Sequence, residues 1–174
     1  MTSIYDTVLS DLGDHMGTLG KNVDADEQQT KQAVEAALPV LIGALSRNAA
    51  QRSGAEALAR ALDKDHDGSI LKDLGSYLER NDLSDGNSIL GHALGARRDK
   101  AEQQVSQLSG LNLGSSAKLL AMLAPLIMGA LGKLKSSGGI NASGLGKVLR
   151  GQKGGKLGCL AMLLPLLGRF MGRR

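Results

Sequence analysis

Tryptophan is absent from this 174-residue chain, and phenylalanine and tyrosine occur once and twice. With β-branched residues also sparse, strands lack the side chains that fill a pleated surface, whereas abundant Leu and Ala favour helices. An all-α protein is expected. A single cysteine, Cys159, excludes an internal disulfide and fits a reducing compartment. The N-terminal stretch has an acid by Asp6 and no apolar run of signal-peptide length. A cytoplasmic location is therefore expected, with the inner-membrane surface as the nearest alternative.

No acidic residue follows Glu102. All 17 acids lie in residues 1–102 with 11 of the 21 basic residues, giving −6, whereas 103–174 holds ten basic residues and carries +10. Two regions so charged attract each other, within one molecule or between molecules. Long apolar runs are missing as well. The uncharged stretches 119–132 and 157–168 span 14 and 12 residues, short of the roughly 20 a bilayer requires. Chemistry-bearing motifs are equally scarce: there is no GxSxG elbow, no GxxxxGK[ST] and no GxGxxG after a strand. An enzyme is not expected, and no small-molecule substrate is evident. The basic segment has Phe170 as its one aromatic, so base stacking has no platform and nucleic acid is not an expected partner.

Proline is scarce too, and its placement is informative. All three prolines lie within apolar phrases: LPVLIGAL at 38–45, APLIMGAL at 124–131 and LPLLGRF at 164–170. A proline inside a helix costs about 3 kcal/mol and an interior glycine about 1 more. Burying Leu, Ile and Met at about 1.5–3 kcal/mol each can offset this. Pro39 and Gly43, like Pro125 and Gly129, stand one helical turn apart. Two related long helices are expected, each kinked at its proline and each presenting a glycine where a backbone approaches, packed against one another. The third phrase, around Pro165, has no fourth copy to pair with.

Between these phrases the sequence spells further helices. Ser3 caps a first one with Ile4, Val8, Leu12 and Met16 on one face, ending near Gly17–Gly20. Asp24 and Glu27 have capping-box spacing ahead of the first long helix. Ser53 caps a short helix, Asp67-Gly68 and Asp85-Gly86 read as turns before short helices, and Asp99 caps another. Ser115 or Ser116 caps the apolar helix of about 117–135. From residue 136 Gly, Lys and Arg dominate, so residues 1–135 read as a compact multi-helical bundle. Residues 136–174 read as a flexible basic tail ending in a short apolar helix.

Asp63, Asp65 and Asp67 followed by Gly68 and Ile70 match positions 1, 3, 5, 6 and 8 of an EF-hand calcium loop. Position 12, where a bidentate Glu belongs, is Leu74, so only weak calcium binding is expected of these aspartates. The competing reading makes Asp67 a helix cap. His66 and His92 flank the two Asp-Gly phrases, and a two-His metal site is a lesser reading. No cofactor other than weak calcium is implied.

LPVLIGAL, DHDGSIL, GNSILGHALG and LAPLIMGALG, in that order, resemble the YidB-like bacterial proteins, a family of unknown function. The resemblance runs from about Leu19 to Leu134. It implies a compact all-helical fold and a bacterial source, and supplies no catalytic residues.

The leading functional expectation is a non-enzymatic interaction or assembly protein, forming homo-oligomers or engaging another protein through the tail. The residues expected to carry it are Leu160, Leu163, Leu164, Pro165, Leu167 and Phe170, with Arg169, Arg173 and Arg174 supplying charge. A weak calcium-responsive module through Asp63, Asp65 and Asp67 is one alternative. Peripheral binding of the basic tail to an anionic membrane surface is another.

Overall fold

The computed structural model describes residues 3–138 and 140–151. Among these residues there is no strand, and the protein is all-α. Helix α1 (Ile4–Leu12) opens on Ser3, whose hydroxyl accepts the Asp6 N–H at 3.0 Å. A 3-10 turn links it to α2 (Met16–Asn22), so the helical run passes the stop expected at Gly17–Gly20. Gly20 does not end the helix. A Cβ there would lie 2.7 Å from both the Ala25 oxygen and Thr30 Oγ1, so its missing side chain admits the chain entering α3.

Helix α3 (Glu27–Asn48) starts two residues later than the capping-box spacing suggests. Asp26 accepts the Gln29 N–H at 2.7 Å, while Asp24 takes a left-handed turn conformation at φ 55°. Next come α4 (Arg52–Lys64), α5 (Leu74–Arg80), α6 (Ser84–Leu94), α7 (Arg98–Ser109) and α8 (Leu113–Gly138). Asp85 and Gly86 do not form a turn. They lie in the first turn of α6, and Asp82 receives the Ser84 N–H ahead of it. Helix α8 likewise begins earlier than expected: Asn112 Oδ1 accepts the Ser115 N–H at 2.8 Å, and both serines are already buried helix residues.

Helix α8 is the hub of the fold. It packs against α1, α3, α4, α6 and α7, and every residue from Leu119 to Gly132 is buried. A helix apolar on all sides belongs in a core or a membrane. By length and composition α8 could cross a bilayer, yet 78% of its most apolar window is buried inside this fold.

The two proline phrases, alike in sequence, occupy different surroundings. Both prolines lie inside helices and the two helices pack together. Pro39, however, is exposed and Gly43 has open space beside it, with only the Arg47 guanidinium near. Pro125 is buried, and Gly129 is pressed against Ile70 and Gly68. The expected close approach at a glycine is thus made on α8 alone, and by the 66–70 segment, not by α3. Because Pro125 has no N–H, the Ala121 carbonyl loses its helical donor. Gly86 of α6 lies over that oxygen: a Cβ there would be 1.8 Å away. A bare Cα–H fits, and nothing larger.

Helix α8 runs past residue 136, and α9 (Ala142–Gly151) folds back against α3 and α4 with Leu145 and Leu149 fully buried. The described start of the stretch read as a flexible tail is therefore packed helix. Glycines there do not prevent helix formation, because tertiary burial outweighs their low propensity.

Candidate functional site

The DHDGSI segment is held down along its length. Gly68 takes a left-handed conformation, φ 95°, that glycine adopts without strain. Its Cα sits 3.7 Å from where a Gly129 Cβ would be, and the His66 carbonyl oxygen would lie 1.7 Å from a Cβ at Gly132. The glycines at 129 and 132, three apart on α8, form the bed on which this segment lies. Asp63 takes a hydrogen bond from Lys135 of α8. Asp67 Oδ1 accepts the Ser69 N–H at 2.9 Å. That bond, with the Ser69 hydroxyl, holds the Asp67 carboxyl below its ordinary range.

The three aspartates read as calcium ligands are thus directed separately: Asp63 to α8, Asp67 to its own turn, Asp65 to the edge of a cleft. Among the described residues no group of three or more His, Cys, Asp or Glu side chains converges. The capping role read for Asp67 is the one its hydrogen bond performs.

That cleft is the most site-like feature of the described residues. It has a volume of about 490 Å³ between the C-terminal end of α3, α4, α6 and the middle of α8. Its floor is apolar, made by Leu45, Leu58, Ile89 and Met128, and its edge carries Asp65, His66, Asp85 and His92. The two Asp-Gly phrases therefore meet in space, brought together across α8 by the glycines at 86, 129 and 132. His66 is buried, with Nε2 3.8 Å from Asp85 Oδ1, beyond hydrogen-bond range. Asn48 closes one end by donating to the His92 carbonyl at 2.7 Å. Asp85, Ser88 and His92 share one face of α6 at the cleft. The sequence showed both histidines but not the hollow between them, because α3 and α4 supply half of its wall.

The residues expected to carry interaction, Leu160, Leu163, Leu164, Pro165, Leu167, Arg169, Phe170, Arg173 and Arg174, lie outside the described residues.

The model of the DUF937 family, bacterial proteins of unknown function, matches residues 6–134. The chain belongs to DUF937. The DUF937 region begins in α1 and ends within α8, so it contains the whole bed of the 63–70 segment and every residue lining the cleft, while α9 follows it. No curated protein and no solved structure matches the chain. The all-helical fold and bacterial family agree with the resemblance drawn from the sequence.

Proposed function

We propose that this DUF937 protein is a non-enzymatic interaction protein that self-associates through its C-terminal segment, residues 157–174. One contrast carries the reading. Among the described residues the apolar side chains are almost all used: a continuous core runs from Ile4 to Leu149, and Leu108 and Leu113 are the large apolar residues left exposed. The last 18 residues nonetheless hold Leu160, Leu163, Leu164, Leu167 and Phe170 at helical spacing, with three arginines and no acid. An apolar segment with basic residues at its end suits a docking element.

Light scattering on the full chain and on its Leu163→Asp, Leu167→Asp double variant tests the proposal. The unmodified chain should be oligomeric and the variant monomeric. Two monomers would overturn self-association. Two oligomers would move the interface to the helical body and overturn the role of the segment.

A further inference from the structure

We infer that the cleft between α3, α4, α6 and α8 is the seat for residues 157–174 of a second copy of this chain. The inference rests on the self-association reading and names its receiving surface. Leu160, Leu163, Leu164 and Leu167 fall at i, i+3, i+4 and i+7, the spacing of the anchors a helix lays into an apolar groove. The cleft offers such a groove. Leu45, Leu58, Ile89 and Met128 form its floor, and its 490 Å³ is within the range of ligand-sized pockets. That volume accepts a row of leucine side chains while the helix itself spans the mouth.

Charge fixes the match further. Asp65 and Asp85 are both exposed at the edge, and Asp85 keeps 54% of its side chain accessible. Lys135 holds Asp63, but among the described residues no Lys or Arg is paired with Asp65 or Asp85. Arg169, Arg173 and Arg174 follow the leucines within seven residues of Leu167. Complementary charge at the edge of an apolar groove sets register and speeds encounter. One segment and one cleft per chain allow either a reciprocal exchange that closes a two-fold dimer or a head-to-tail series that produces rings or open chains.

The lone cysteine makes a test possible, because Cys159 lies inside the segment and no other thiol is present. Ser88 is exposed at the cleft, so the full chain carrying Ser88→Cys, mildly oxidised, should give reducible covalent dimers or higher oligomers. Gln104→Cys on α7, exposed and away from the cleft, should not. The Asp65→Lys, Asp85→Lys double variant should weaken self-association about tenfold and make it less salt-sensitive. Oligomers by light scattering whose Ser88→Cys thiol forms no cross-link, or that are joined through Cys159 alone, would overturn the cleft and leave self-association standing. A cross-link confined to monomers would show the segment in its own chain's cleft and overturn both. A monomeric, unlinked chain would also overturn both.

Discussion

Replacing Gly86 by alanine tests the structure at one of its tightest contacts. In an exposed helix the change stabilises, since alanine exceeds glycine by about 1 kcal/mol in helix propensity. Five residues on, Gly91 meets that condition: it lies in α6, is exposed, and a Cβ there would have nothing within 4 Å. Gly91→Ala should therefore raise stability by about 0.5–1 kcal/mol. At Gly86 the same Cβ would stand 1.8 Å from the Ala121 oxygen and 2.6 Å from its carbonyl carbon. Those are backbone atoms in the middle of α8 and cannot rotate away. Restoring ordinary contact at 3.4 Å requires α6 and α8 to separate by about 1.6 Å. A gap of even 0.5–1 Å forfeits a quarter to a half of the dispersion attraction, and buried Leu90 and Leu94 lie on the same helix. Overpacking of this severity costs about 3 kcal/mol or more, leaving a net loss of about 2 kcal/mol after the propensity gain. For a chain of this size that lowers the melting temperature by about 4–8 °C, while Gly91→Ala raises it by about 1–4 °C. Urea and thermal unfolding of the two variants read both signs. A Gly86→Ala protein as stable as the parent would refute the seating of α6 on the Pro125-disrupted turn of α8.

Two other residues make comparably direct tests. Tyr77 is buried and donates to the Met122 carbonyl at 2.9 Å; desolvation, then Asp85 and Asp82, push its hydroxyl well above its ordinary value. Above about pH 10 the unfolded chain releases this proton and the folded one retains it, so stability falls as pH rises. Tyr77→Phe should cost about 1 kcal/mol at pH 7 and flatten that alkaline decline in urea titrations. Leu149 is 1% exposed on α9, so Leu149→Ala should cost about 2–5 kcal/mol by denaturation; a loss below about 0.5 kcal/mol would mean that α9 is not docked.

Much of the fold was legible because it is local. The period of Ile4, Val8 and Leu12 gives α1 its buried face, and Ser3 supplies its cap. The uncharged run around Pro125 reads as an apolar helix, and it lies within α8, where every residue from Leu119 to Gly132 is buried. Legibility failed wherever glycine served a neighbour instead of its own backbone. Asp85-Gly86 has the composition of a turn, yet it is helical, because Ala121 needs a residue without a side chain above it. The glycines at 129 and 132 likewise accept the 66–70 segment, which no spacing within α8 reveals. The aspartates show the same limit, since a ligand pattern records sequence intervals and not the direction of each carboxylate.

The sequence alone determined the helical class, the burial of α8 and the charge asymmetry, because propensity, periodicity and composition act through residues near one another in the chain. Only the tertiary structure decided that Pro39 faces outward and Pro125 inward. It also decided that α9 joins the body, and that His66 and His92 meet across a cleft. Those outcomes depend on which helix surfaces lie opposite each other, and packing of distant segments sets that relation.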